Sequence, residues 1–346
     1  MPRLDGFDHR PGNHCGSTSL RNLADYYDWG YTEETAFGLA SGLGFTYNEL
    51  PESPHRGFFG RPLFLEEAFF DHCAIGFEHR AGPDWATVWA TIREQVDAGH
   101  PVFCFGDIYH LDYYDTDTHF APHSFLAIGY EDGAPTGEEP GDDATVLLSD
   151  SEFPAPQELP ADRLRASMTS DWMLPHPLRY LVVTDPAMGR GFADAAERAI
   201  RETAAYVRDP AGVDRELGPG EHGLAGVRAL ADDLPTWTDL PDPQWTVRFA
   251  YQNVERRGTG GGCFRRMYAD FLATASEALP AVPADAADRM ADIAADWTAA
   301  GETLKAASEC GDTDEMQPLL EDAATSVHDL ADREERLFDE LAAALA

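Results

Sequence analysis

The first half of the chain mixes amphipathic segments with short apolar runs. Residues 16–28 carry apolar side chains at helical spacing, which predicts a helix that Ser17 or Thr18 could cap. Residues 84–98 predict a second amphipathic helix, which begins after Asp84. The stretch between them, from residue 30 to 52, predicts a short helix followed by a packed loop.

Four apolar runs rich in β-branched and aromatic residues predict strands. They are residues 100–111, 123–130, 144–150 and 177–186. Between the second and third run lies EDGAPTGEEPGDD, a polar segment rich in glycine and proline that predicts a loop. An antiparallel hairpin is the shortest connection for these two strands.

The pattern changes near residue 190, where Ala-, Glu- and Arg-rich stretches with helical periodicity begin. RRGTGGGCFRRMY, residues 256–268, interrupts them with a glycine cluster. We therefore predict an α+β domain with an antiparallel sheet over residues 1–187, followed by a mostly α-helical domain over residues 188–346.

The charge of the chain limits its partners. Acidic residues number 62 and basic residues 25, which gives a formal charge of −37. Such a surface repels nucleic acid and anionic membranes, so neither is expected as a partner. We interpret the acidity as adaptation to concentrated salt, the composition of a halophilic protein. No apolar run approaches a membrane span and the start lacks a signal-peptide pattern, so we expect a soluble, cytoplasmic protein.

The cysteines indicate neither a disulfide framework nor a thiolate metal site. There are five, an odd number without a CxxC pair, at positions 15, 73, 104, 263 and 310. Cys73, Cys104 and Cys263 stand among apolar residues and predict core positions. His119 and His123 have the spacing of helical zinc ligands, but the proline between them argues against a helix, so no metal is expected.

Cys15 is a candidate nucleophile because it stands at the predicted start of a helix, where free amides and the helix dipole lower the pKa of a thiol. Acyl chemistry also needs a general base and a group that orients it. The predicted hairpin pairs the start of one strand with the end of the next, which puts His123 opposite Asp150. The sequence thus predicts a triad of Cys15, His123 and Asp150.

Several segments of the chain resemble those of a known family. GNHCGSTSLRNLADYYDWG, APHSFLAIGYED and VLLSDSEF are similar to the amino-terminal domain of the butirosin biosynthesis protein H family, which is related to papain-like and double-glycine-leader peptidases. VERRGTGGGCFRRMYADFLATASEA resembles the helical domain of unknown function that often follows it. The resemblance implies a papain-like fold for the first domain.

The resemblance also implies an activity, the transfer of an aminoacyl group from an acyl carrier protein thioester to an amine of an aminoglycoside. Cys15 would carry the acyl group and His123 would deprotonate the incoming amine. Papain-like peptidases have a glutamine shortly before the cysteine, which is absent here. Asn13, His14 and the start of the helix at Gly16 are the candidates for the oxyanion site and its surroundings.

The glycine cluster has two interpretations. It is either a tight turn between helices that needs positive φ angles, or a binding site for a phosphopantetheine phosphate or a substrate carboxylate. In the second case the residues involved would be Gly258, Gly260, Gly261, Gly262, Arg265 and Arg266.

Three functions stay open. The first is a cysteine-dependent acyltransferase that uses a carrier protein or a small thioester as donor and a small amine as acceptor. The second is a peptidase or amide hydrolase with the same triad. The third is a non-catalytic binding protein, in which Cys15 would be buried or His123 turned away from it. No tightly bound cofactor is expected, and the resemblance favours self-association.

Overall fold

The computed structural model describes residues 2–133, 141, 143–173 and 177–346. The helices are α1 (Cys15–Tyr26), α2 (Glu33–Leu39), α3 (Leu65–Cys73), α4 (Trp85–Asp97), α5 (Ala161–Met168), α6 (Phe192–Arg208), α7 (Gly223–Asp233), α8 (Pro243–Glu255), α9 (Arg265–Ala278), α10 (Ala286–Ser308) and α11 (Thr313–Ala344). The strands are β1 (Thr46–Glu49), β2 (Arg56–Phe59), β3 (Gly76–Ala81), β4 (Val102–Gly106), β5 (His123–Glu131), β6 (Thr145–Ser149), β7 (Gln157–Pro160), β8 (Arg179–Asp185) and β9 (Glu221–His222).

The protein has an α+β architecture with antiparallel sheets, as predicted. Its chain divides into two compact units. The first contains Met1–Glu33 and Ala74–Gly189, and the second contains Glu34–Cys73 and Arg190–Ala346. Within the part of the chain that the structure describes, none of the helices has the length and apolar character to span a membrane.

The first unit is built on a six-stranded sheet in the order β3-β8-β4-β5-β6-β7. All four predicted apolar runs supply strands to it, and every residue of β4 is buried. Helices α1 and α4 pack against β5. Helix α4 begins after Asp84, whose carboxylate accepts a hydrogen bond from the Thr87 amide, as its sequence predicts.

The register of the β5–β6 hairpin is two residues away from the predicted one. Leu126 lies opposite Ser149, and a bulge between Ala127 and Gly129 changes the alignment beyond that point. Since the offset is an even number, the residue after Ser149 still shares a face with His123 and lies diagonal to it. The predicted connection over residues 131–143 lies mostly outside the described residues.

The second unit combines helices α2, α3 and α6 to α11 with a three-stranded sheet in the order β2-β1-β9. The segment Glu34–Cys73 belongs here, although the sequence pattern had placed it with the first 187 residues. Its aromatic residues explain the difference: the Phe45 ring stacks on Phe58 at 5.2 Å and on Trp297 at 5.7 Å. The predicted packed loop in this segment contains strand β1.

Candidate active site

Helix α1 places Cys15 at its first position. The side chain of His14 caps the helix. The prediction that Ser17 or Thr18 caps it is therefore wrong. Two contacts hold this end of the helix beside the end of β6. The Gly12 amide donates to the Ser151 carbonyl at 3.0 Å, and the Asn22 amide group donates to the Ser149 hydroxyl at 3.2 Å. The cysteine is thereby positioned close to the residue that follows β6.

That residue is Asp150, which is fully buried together with His123 at the start of β5. His123 Nε2 lies 3.0 Å from both carboxylate oxygens of Asp150. Because a carboxylate accepts hydrogen bonds, Nε2 carries the proton and Nδ1 is left for Cys15. The three side chains of the predicted triad are therefore neighbours in the structure.

The charges of this group favour an ion pair between sulfur and imidazole. Burial raises the pKa of the Cys15 thiol, but the charge of His14 and hydrogen bonds with His123 and His14 outweigh it, and the pKa lies well below its ordinary value. Burial lowers the pKa of His123, whereas the charge and hydrogen bond of Asp150, together with Cys15, raise it well above its ordinary value. A thiolate beside an imidazolium follows from both shifts.

His14 places a second imidazole beside the sulfur. The Ser17 amide lies 3.3 Å from His14 Nδ1 and can only donate, so Nδ1 accepts and the ring proton of a neutral His14 is on Nε2. His14 Nε2 lies 3.8 Å from Cys15 Sγ. The cap of helix α1 thus orients an N–H group toward the thiolate.

Glu33 is a buried carboxylate that the sequence analysis did not single out. It accepts hydrogen bonds from the amides of Asn13 at 3.0 Å and His14 at 2.9 Å, and from the hydroxyls of Ser17 and Thr18 at 3.0 Å each. It therefore fixes the turn that leads into helix α1. Glu33 is 18 residues from Cys15 in sequence and reads as part of another helix, so no local pattern indicated this role.

Two tyrosines that the sequence analysis also missed complete the surroundings of Asp150. Tyr113 Oη donates to Asp150 Oδ2 at 2.9 Å, and Tyr114 Oη donates to Oδ1 at 3.0 Å. Burial and the charge of Asp150 raise the pKa of both phenols well above the ordinary value, so both stay protonated donors. The carboxylate is thereby held in one orientation toward His123.

Two family models match this chain. Residues 14–136, which include Cys15 and His123, match the model described as butirosin biosynthesis protein H, N-terminal. Residues 162–341, more than half of the 346 residues, match a domain of unknown function, DUF4872. The chain belongs to the family of proteins that carry this domain of unknown function, and its amino-terminal region is similar to the butirosin biosynthesis protein H family. No curated protein matches it.

The match to the butirosin biosynthesis protein H domain ends before Asp150, so the third residue of the group rests on the geometry alone. The other candidates near the cysteine have different surroundings. The Asn13 amide is engaged by Glu33, and its side-chain amide lies 3.4 Å from the same carboxylate. Gly16 belongs to the first turn of α1, whose amides have no acceptor within the helix.

The glycine cluster of this family member forms a left-handed turn between α8 and α9. Gly258, Gly260, Gly261 and Gly262 all have positive φ angles, between 58° and 89°. The amides of the turn are used internally: the Gly261 amide donates to the Thr259 hydroxyl and the Gly262 amide to the Glu255 carboxylate. The structure therefore favours the interpretation as a tight turn.

Arg265 and Arg266 differ in environment. Arg265 is fully buried, and Nε and Nη2 of its guanidinium donate to Glu334 at 2.8 and 2.9 Å. This pairing leaves Arg265 no exposed guanidinium for a substrate, which contradicts the role considered for it. Arg266 is exposed. The two arginines follow the glycines directly, and the sequence does not tell which of them points inward.

Among the residues that the structure describes, the remaining cysteines and histidines form no second site of this kind. Cys73, Cys104 and Cys263 are buried as predicted, and burial raises the pKa of each thiol to about 12. His119 and His123 do not converge, since His119 contacts a different carboxylate, Asp107. In the described ranges, no three His, Cys, Asp or Glu side chains are grouped so that they could hold a metal ion.

We expect Glu33→Ala to destabilise the start of α1 by about 3 kcal/mol, because two amides and two hydroxyls lose their common acceptor. Hydrogen exchange of the peptide that covers residues 13–22 measures the loss. The control is Glu94→Ala on the exposed face of α4, for which we expect less than about 0.5 kcal/mol. Equal exchange in the two variants would contradict the anchoring role of Glu33.

Proposed function

We propose that this protein is a cysteine-dependent acyltransferase that moves an acyl group from a thioester donor to a small amine. The observation that carries the proposal is the group around Cys15, where the thiol stands at a helix start with a lowered pKa. His123, held by Asp150 at 3.0 Å, supplies the base. A helix-borne cysteine on an antiparallel sheet with His and Asp at adjacent strand ends also supports a papain-like fold for the first unit.

The chemistry needs only these groups. Cys15 Sγ attacks the carbonyl carbon of the donor thioester, and the donor thiolate leaves with a proton from His123. Acyl transfer is completed when the amine attacks the Cys15 thioester, gives its proton to His123 and releases the thiolate. We assign the oxyanion of both steps to the Cys15 and Gly16 amides of the first helical turn and to the His14 Nε2–H.

The donor in this proposal is a phosphopantetheine-linked acyl group on a carrier protein, or a small thioester of the same chemistry. Family membership supports a biosynthetic enzyme but does not specify the acyl group or the amine. Water in place of the amine would make the same site a hydrolase. Product analysis with and without an amine separates these two activities.

One observation favours the non-catalytic alternative. Cys15 is only 7% exposed, as expected for a protein that binds a ligand without reacting with it. The position of His123 beside Cys15 and the lowered pKa of the thiol do not fit that alternative, because an inert buried thiol has a raised pKa, as Cys104 does. Thiol reactivity decides between the two.

The test is alkylation of the native protein by iodoacetamide from pH 5.5 to 9, mapped by mass spectrometry. An ordinary thiol with a pKa near 8.5 is about 1% ionised at pH 6.5 and loses reactivity about tenfold for each further pH unit. The thiolate fraction of Cys15 falls only when the pH drops through the pKa of its thiol in the folded protein, and this pKa is lowered. We expect Cys15 to keep its reactivity at pH 6.5.

In His123→Ala, the alkylation rate of Cys15 should fall about 100-fold at pH 6.5. The dependence of this rate on pH should become that of an ordinary thiol. His79→Ala, which alters an exposed histidine on β3, is the matched control and should change nothing. If Cys15 reacts no faster than the partly exposed Cys310, the catalytic proposal fails and the binding-protein alternative takes its place.

A further inference from the structure

Three aromatic rings from distant parts of the chain form a stack in the first unit. The His119 ring lies between Tyr109, at 4.2 Å between ring centroids and 20° between planes, and Trp172, at 5.0 Å and 12°. Tyr109 and Trp172 are nonetheless 40% and 57% exposed. The stack therefore presents aromatic surface to solvent.

One buried carboxylate holds all three ring-bearing segments. Asp107 Oδ1 accepts the Tyr109 amide at 3.2 Å, and Oδ2 accepts His119 Nδ1 at 2.6 Å and the Ser170 hydroxyl at 2.7 Å. The Ser170 oxygen also accepts the Trp172 amide at 3.3 Å. Every segment of the stack is thus tied to Asp107, directly or through one hydroxyl.

This arrangement fixes the orientation of two rings that are exposed to water. A fully buried carboxylate must recover its lost hydration through hydrogen bonds, and Asp107 uses its bonds to fix rings that are themselves left in water. A fold that only needed to bury Tyr109 and Trp172 would turn them inward. A rigid aromatic surface with fixed orientation is a common feature of small-molecule sites.

The stack belongs to the same end of the sheet as Cys15 and its partners. Asp107 directly follows Gly106, which pairs with His123 in the β4–β5 ladder. Asp107 Oδ1 also accepts the Phe120 amide at 3.0 Å, and the Phe120 ring lies 6.4 Å from the His123 ring. Asp107 thus connects the stack with the surroundings of the proposed base.

The charges around the stack select the sign of its ligand. The segment 107–122 contains four aspartates and neither lysine nor arginine; Asp112 is paired with Arg163 from outside the segment, whereas Asp107 is buried and Asp115 and Asp117 are exposed. Asp171, next to Trp172, is exposed as well. The His119–Asp107 pair has no net positive charge in either protonation state of the imidazole. An aromatic face flanked by carboxylates attracts cations and repels anions.

We propose that the Tyr109–His119–Trp172 stack binds an organic ammonium cation, and that this cation, after it has lost one proton to solvent, is the amine acceptor that attacks the Cys15 thioester. The second half of this statement rests on the proposed function, whereas the first half does not. The ammonium group lies against the indole face of Trp172 with the carboxylates around it, and the apolar part of the ligand covers the exposed ring surface.

The binding test uses the Cys15→Ala protein, labelled with 5-fluorotryptophan, so that no catalysis is needed. Comparison with a Trp172→Phe variant assigns the fluorine resonance of Trp172 among the seven tryptophans. Phenethylamine, 2-phenylethanol and phenylacetate share one ring and differ in charge. We expect phenethylamine to shift the Trp172 resonance and to bind about tenfold more tightly than the other two compounds.

Three further variants make the test specific. Isothermal titration calorimetry measures the affinity where the Trp172 resonance is absent: Trp172→Ala should lower the affinity for phenethylamine about tenfold, whereas Trp245→Ala, at another tryptophan that is 39% exposed, should leave it unchanged. Asp115→Asn combined with Asp117→Asn keeps the stack and should weaken phenethylamine binding without affecting 2-phenylethanol. The melting temperatures of these three variants and of the Cys15→Ala protein should agree within a few degrees.

Equal binding of phenylacetate, or an affinity that Trp172→Ala does not change, would overturn the site. A result in which phenethylamine binds at Trp172 while Cys15 shows no enhanced alkylation would leave the cation site in place and refute its link to acyl transfer. The reverse result, a reactive Cys15 with no cation at the stack, would refute the site and leave the proposed function standing.

Discussion

Cys15→Ser should abolish acyl transfer, with a loss of turnover on the order of 10⁴- to 10⁶-fold. Serine has nearly the size of cysteine, so the helix start and its neighbours stay in place. A serine hydroxyl is far less acidic than a thiol, and neither His14 nor His123 can ionise it as they do the sulfur. The variant therefore removes the nucleophile and leaves the rest of the site intact.

The measurement is a panel of acyl N-acetylcysteamine thioesters with intact-mass spectrometry of the protein. The unaltered protein should gain the acyl mass on Cys15 and lose it when an amine is added. Cys310→Ser, at the partly exposed cysteine, is the control and should behave like the unaltered protein. Turnover that persists in Cys15→Ser at an unchanged rate would mean that another group is the nucleophile.

Glu334→Gln should destabilise the second unit by about 3–5 kcal/mol, because it leaves the buried Arg265 guanidinium without its counter-charge. The two charged groups are both about 1% exposed, so water cannot take the place of the lost partner. Glu334 Oε1 also accepts the Trp297 indole N–H at 2.8 Å. The Glu334 carboxylate thus joins two other buried side chains of the helical unit, Arg265 and Trp297.

The neighbouring residue provides the comparison. Glu335 pairs with Arg228 at 2.9 Å, but both side chains are well exposed, and Glu335→Gln should cost less than about 1 kcal/mol. Urea unfolding at fixed salt measures both variants. Arg265→Met combined with Glu334→Leu should recover most of the loss, since no buried charge remains. Equal stability of Glu334→Gln and Glu335→Gln would contradict the buried pair.

The proximity of Cys15, His123 and Asp150 could be predicted from the sequence because each residue stands next to a strong local pattern; their catalytic role stays a prediction. Cys15 begins an amphipathic helix, and His123 and Asp150 flank short apolar strands. The predicted register differs from the observed one by two residues, yet both registers keep the side chains of His123 and Asp150 on one face of the sheet. Pattern and family resemblance together gave the residue types and the end of the sheet at which they meet.

The groups that hold the site in place were not predictable in this way. Glu33, Tyr113 and Tyr114 contact it from separate segments, and their side chains are common types in polar sequence. Only the folded chain brings them to Cys15 and Asp150. Arg265 illustrates the reverse case. A charged residue beside a glycine cluster suggests a surface position, but Arg265 is buried and pairs with Glu334, which lies 69 residues away in the sequence.

The segments of the two units alternate along the chain, which affects how fragments and chimaeras of the protein can be designed. The polypeptide passes from one unit to the other three times, after Glu33, Cys73 and Gly189. A fragment that ends at residue 187 would carry Phe45 and Phe58 without Trp297, and the complementary fragment would lack strands β1 and β2. The second unit is therefore complete only when residues 34–73 accompany residues 190–346, and chimaeras between relatives should take both segments from the same parent.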